Sequence, residues 1–139
     1  MDNLPANRGF KSHVGYLCGQ EQYYNGLNLN PSHDCPGLNA TCVHDLWQDQ
    51  APGVAAAASI NYSTDYYTLT ALGIIKAHAK GTPLWLHLPY QNVHEPYQES
   101  APWDQVPQGK FWDKTLGDMV AAVDAGIGTL LTDLRCEFL

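Results

Sequence analysis

Pro83-Leu84-Trp85-Leu86-His87-Leu88-Pro89-Tyr90-Gln91-Asn92-Val93-His94-Glu95-Pro96 is the stretch that decides how this chain is read. Leu84, Leu86 and Leu88 recur at every second position with Trp85 and His87 between them, which predicts a short strand with one apolar face. The strand stops at a proline and delivers His94 just beyond its carboxyl end. Ligands in open α/β sheets bind in the crevice outside the carboxyl ends of strands, so His94 is the leading candidate for chemistry. Gln91, Asn92 and Glu95 surround it with polar groups, and Pro96 fixes the turn that follows. The competing reading is a histidine satisfied by a backbone carbonyl at a strand end.

The neighbouring segments fit an α/β layer. Ser63 or Thr64 can cap a helix whose positive end Asp65 favours. Tyr67, Ala71, Leu72, Ile75 and Ala79 fall on one face of it. Lys76, His78 and Lys80 lie near its end, and Gly81 is expected to stop it. A second helix is predicted from about residue 113 to 134, with Leu116, Met119, Val120, Val123, Ile127, Leu130 and Leu134 as its apolar stripe. Asp118, Asp124 and Asp133 fall off that stripe. Gly117, Gly126 and Gly128 weaken this helix by roughly 1 kcal/mol each relative to alanine. Residues 1 to about 62 read as loop-rich, with turn signals such as Asn25-Gly26 and Asn30-Pro31 and no sustained period. Tyr16, Leu17, Tyr23, Tyr24, Leu46 and Trp47 could anchor those loops. Pro102, Pro107 and Gly109 punctuate a second loop. One clear strand, two helices and long loops do not close a sheet, so residues 1–139 read as part of a larger α/β domain.

The chain has 139 residues, 45% hydrophobic and 15% charged, which is a globular composition for one domain. Its formal net charge of -7 argues against a nucleic-acid or anionic-membrane partner. No apolar run approaches the roughly 20 residues that cross a bilayer, and no signal peptide is visible. Cys35 and Cys42 bracket the glycosylation sequon at Asn39, and a second sequon begins at Asn61. A close cysteine pair around a sequon resembles an oxidised, secretory-pathway loop, so a preceding segment is expected. His33, Cys35, Cys42 and His44 are also proper zinc ligands, but the six-residue gap between the cysteines favours a disulfide. Cys18 and Cys136 are left to pair together, with other partners, or not at all. Asp45 and Asp49 read as solvated loop charges, and Arg8 beside Gly9 reads as a loop anchor.

Several stretches resemble the arylsulfatases, in the group of N-acetylgalactosamine-4-sulfatase. Leu4-Pro5-Ala6-Asn7-Arg8-Gly9-Phe10 with Gly15-Tyr16-Leu17 is similar to that family's LPTxRGFDxxxGYL stretch. Gln20-Glu21-Gln22-Tyr23-Tyr24 is similar to its G-x-EDYY segment. The Asn39 sequon beside Cys42 and the helix start at Tyr62-Ser63-Thr64-Asp65 also recur there. Pro83 to Gln98 is similar to PLFLYLxxQxVHxPxQ, and Met119-Val120 with Asp124 and Gly128 to the following MVxxxDxxVG helix. Five such pieces in the correct order make a specific resemblance over nearly the whole chain.

The resemblance implies a partial alkaline-phosphatase-like fold and a sulfuric ester hydrolase acting on small-molecule or glycan sulfate esters. In that family a C-x-P-S-R cysteine becomes the formylglycine nucleophile, and calcium held by aspartates and an asparagine polarises the sulfate. The histidine of the VHxP motif contacts the sulfate or ester oxygen, a catalytic and substrate-binding role that carries over to His94. No cysteine here is followed by x-P-S-R, and the family's calcium ligands match no residue of this chain. The chain is therefore expected to be an inactive internal fragment of the catalytic domain, from a lysosomal or extracellular parent. The alternative from another class is a non-catalytic module for sulfated glycans, with Tyr23, Tyr24, Trp47, Trp103 and Trp112 as its exposed aromatics.

Overall fold

In a computed structural model, residues 4–28, 43–53, 60–99 and 113–138 are described. The chain divides into two compact units, Met1–Ser63 and Thr64–Leu139. The α/β class expected from the sequence holds, with a small antiparallel sheet and two helices.

The first unit carries more order than its turn-rich sequence predicts. Strand β1 (Val14–Tyr16) pairs antiparallel with β4 (Leu46–Gln48), with Gly15 opposite Trp47. Strand β4 then folds back on β5 (Ala51–Pro52). A second ribbon joins β2 (Leu27–Asn28) to β3 (Val43–His44). The β4–β5 turn places Asp49 at φ 54°, a left-handed conformation that aspartate tolerates better than most residues. Asp49 also accepts from His13 N at 2.9 Å and donates from its own backbone to His13 O at 2.7 Å.

Asp45 is not the solvated charge expected from the sequence: it is only 4% exposed. Its Oδ2 accepts from the amides of Leu17 and Cys18, and its Oδ1 accepts from the Trp47 indole at 3.0 Å. A buried carboxylate is tolerable when donors surround it in this way. Burial, with added negative charge from Glu21 and Asp45, pushes the Tyr16 phenol above its ordinary range. Leu4, Tyr23, Leu46, Ile60 and Tyr62 form the apolar centre, with Tyr23 stacked on Tyr62 at 5.2 Å. Of the expected anchors, Leu17 and Tyr24 remain exposed.

In the second unit, α1 spans Ser63–Ala77 and α2 spans Lys114–Phe138. Tyr67, Ala71, Leu72 and Ile75 are buried as their spacing predicts, whereas Ala79 lies beyond the helix and is exposed. Helix α1 ends four residues before Gly81, which instead takes φ 85° in the turn closed by Thr82 N on Ala79 O. Asp113 caps α2, accepting from Leu116 N at 3.0 Å. Asp118 departs from its off-stripe expectation: it is fully buried and paired with Lys114 one turn earlier. Residues 83–88 keep the predicted alternation, with Leu86 and Leu88 half-buried while Trp85 is 82% exposed. They join no ladder among the described residues, so the expected strand lacks the partner that would define it. An open apolar groove of about 510 Å³ lies there, lined by Ile75, Leu84, Trp85, Leu88, Leu130 and Leu134.

Helix α2 passes close to α1 at Gly126, where an added Cβ would lie 2.7 Å from Thr68 Oγ1 and 2.9 Å from the Tyr90 hydroxyl. Gly128 has open space around it. Gly126→Ala is therefore expected to destabilise the unit by about 1–3 kcal/mol through overpacking. Gly128→Ala should stabilise it by up to about 1 kcal/mol through helix propensity, and urea unfolding of the two variants checks the opposite signs. Burial lowers the His13 imidazole despite the opposing pull of Asp49, so folding favours its neutral form. That contribution is fully present above the ordinary value of 6.5 and is lost as pH falls from there through the lowered folded value. Replacing His13 with glutamine should flatten this part of the stability–pH curve, measured by urea unfolding at about pH 7.5 and about pH 5.5.

Candidate functional site

The turn bearing His94 is anchored on both helices of the second unit. His94 N donates to Gln91 O at 3.1 Å, closing a four-residue turn with Asn92 and Val93 at its middle. Gln91 is buried at 6% exposure, while His94 itself is exposed. The Asn92–Val93 and Glu95–Pro96 peptide bonds are cis.

Two hydrogen-bond systems secure the turn. Asn92 Oδ1 accepts from the Thr64 hydroxyl in the first turn of α1, and Asn92 Nδ2 donates to Met119 O of α2 at 2.9 Å. One step earlier, Thr68 donates its hydroxyl proton to Thr64 O at 2.7 Å. The Tyr90 hydroxyl, 2.8 Å from Thr68 Oγ1, must then be the donor in their contact. The sequence offers Ser63 or Thr64 as a helix cap and Asn92 as a polar neighbour, whereas α1 begins at Ser63 and includes Thr64. The sequence does not show that Thr64 and Asn92 bond each other, because the bond spans 28 positions.

The His94 ring places Nδ1 2.8 Å from the carbonyl oxygen of Glu95. A carbonyl only accepts, so this contact assigns a proton to Nδ1. A neutral ring in that tautomer presents Nε2 as an acceptor, and it donates from Nε2 only as the imidazolium. The positively charged form suits a sulfate oxygen or a departing ester oxygen.

The remaining candidates do not gather around His94. Asn61 is exposed, but the hydroxyl-bearing Ser63 of its sequon is fully buried. Cys35, Cys42, Asn39 and the zinc candidate His33 lie outside the described residues, as do Trp103 and Trp112. Cys18 takes part in a disulfide and Cys136 is a free exposed thiol, so these two do not pair with each other. Among the described residues no group of three His, Cys, Asp or Glu side chains could hold a metal. The calcium implied by the resemblance therefore has no ligand set among the described residues. Likewise, no described helix is long and apolar enough to cross a membrane.

Comparison with known proteins finds partial matches. Arylsulfatase J of Mus musculus is 34% identical over 97 residues, which are 70% of this chain and 15% of that protein. A solved structure described as Ps i-CgsB superposes with a TM-score of 0.75 at 28% identity, over 97% of this chain and 31% of that one. The same values hold for Ps i-CgsB in complex with k-i-k-neocarrahexaose. No family model matches the chain. These relatives support a sulfatase family with an alkaline-phosphatase-like fold. The chain spans about a third or less of the length of each.

Proposed function

We propose that this chain forms the His94-bearing part of an arylsulfatase-type sulfuric ester hydrolase, in the group of N-acetylgalactosamine-4-sulfatase. The observation that carries the reading is the anchored turn of residues 91–94, which presents an exposed imidazole at the position of the family's VHxP histidine. His94 contacts a sulfate oxygen or the ester oxygen of the leaving group, and its charge offsets the negative charge that develops there. In the intact family member a calcium ion would supply positive charge to the sulfate, a group for which this chain's described residues offer no ligand set. A lysosomal or extracellular setting for the parent follows from the same resemblance. The substrate is a small-molecule or glycan sulfate ester.

The sulfated-glycan binding module remains the second reading, favoured by the relative solved with k-i-k-neocarrahexaose. Its original aromatic support is reduced, because Tyr23 is buried and Trp47 is half-buried. Tyr97, three residues beyond His94 and 60% exposed, and Trp85 are better placed for sugar stacking.

The purified chain is expected to lack turnover of an aryl sulfate even with calcium, because it carries no x-P-S-R cysteine. Turnover above that of a His94→Ala control would contradict the fragment reading. The chain should nonetheless bind an aryl sulfate more tightly than His94→Ala does. Equal affinity in calorimetry would remove His94 from the site. For the Asn61 sequon, the buried Ser63 requires that glycan transfer precede folding. Mass spectrometry should find Asn61 modified when the nascent or unfolded chain meets the transferase and unmodified when the folded chain does.

A further inference from the structure

We infer that residues 83–89 are a contact surface for a second copy of this chain, an inference that does not use the sulfate reading of His94. The segment Pro83-Leu84-Trp85-Leu86-His87-Leu88-Pro89 has the same pattern in both directions. A leucine stands at its centre and two places to either side, an aromatic ring flanks the centre on each side, and a proline closes each end. A two-fold axis through Leu86 therefore sets Leu84 against Leu88 of the second copy, Leu86 against its own counterpart, and Trp85 against His87. Contact between identical patches requires this kind of self-matching.

The backbone is open on the edge that this pairing uses. Alternate residues of an antiparallel strand turn their N–H and C=O groups to the same neighbour. Leu84, Leu86 and Leu88 share one such edge, and none of them makes a hydrogen bond among the described residues. Pairing about Leu86 gives each of them a donor and an acceptor. Pro83 and Pro89 fall on the opposite edge with Trp85 and His87, and a proline there donates nothing to a ladder. Pairing thus closes at two copies and does not propagate.

Side chains and charge agree with the backbone. Leu84 is 36% and Trp85 82% exposed, and His87 is exposed beside them. The open groove of about 510 Å³ along the leucine row, walled by Ile75, Leu130 and Leu134, has room for the second copy's leucines. An apolar strand edge left open in this way is where chains associate. Each copy carries a net charge of -7, but no Asp, Glu, Lys or Arg occurs from Gly81 to His94. The pairing therefore brings no like charges face to face.

The test is sedimentation equilibrium of the full 139-residue chain over a dilution series. A reversible monomer–dimer equilibrium is expected. Leu86→Lys places two ammonium groups on the two-fold axis and should leave the chain monomeric throughout. Two variants of the exposed pair fix the register, because Trp85 and His87 meet at a position where opposed side chains lie closest. Trp85→Lys with His87→Lys sets like charges opposite each other twice per dimer and should weaken association by about tenfold or more. Trp85→Glu with His87→Lys sets opposite charges there and should keep the dimer. Amide exchange gives the edge: Leu84, Leu86 and Leu88 should exchange more slowly in the dimer than on dilution, and Trp85 and His87 should not. If Leu86→Lys fails to fold, the two exposed variants decide. A chain that stays monomeric, one that assembles past two copies, or equal weakening by the two charge variants overturns the inference.

Discussion

The Asn92 carboxamide accepts from the Thr64 hydroxyl and donates to the Met119 carbonyl, and the second unit is organised around that bridge. Each such bond contributes about 1 kcal/mol net, but losing a partner for a buried polar group costs about 1–3 kcal/mol. The constraint is therefore felt more in what it forbids than in what it adds. It holds the start of the 91–94 turn against both helices while the turn's last residue stays in solvent. The Lys76–Asp133 ion pair, 3.0 Å long, joins the same helices with its lysine exposed and its aspartate half-buried. The close approach at Gly126 has the same character, since Thr68 and Tyr90 fill the space that any larger residue would need.

The first unit solves a different problem with similar means. Its strands are two or three residues long, too short to be stable by pairing alone. Asp45 compensates by gathering two loop amides and an indole around one buried carboxylate. Asp49 repeats the device at the hairpin turn, on the surface. Tyrosine packing around Tyr62 closes the unit.

What the sequence makes legible follows from the range of the interactions. Helices α1 and α2 are readable because their three- to four-residue spacings and the Asp113 start are local, and Tyr67, Ile75 and Asp113 behave as their positions predict, whereas Thr64 lies inside α1 and gives its hydroxyl to Asn92. The α1 end is misread because Gly81 is used in a turn rather than as a stop. Asp45 and Asp118 look like surface charges in sequence, since the groups that enclose or neutralise them are arranged only by folding. The two- and three-residue strands carry no period long enough to detect, while residues 84–88 carry the period without a ladder among the described residues. His94 is singled out in the sequence by its place after an apolar run and by the family resemblance. Its support is not, because Thr64 and Met119 reach Asn92 across 28 and 27 positions.

The central claim is that His94 faces a sulfate ester, and a ligand titration followed at each histidine ring tests it most directly. Adding an aryl sulfate to the 15N-histidine chain should shift the His94 ring saturably, while the other five histidines stay in place. Shifts spread evenly over the histidines, or centred on a ring other than His94, would contradict the account.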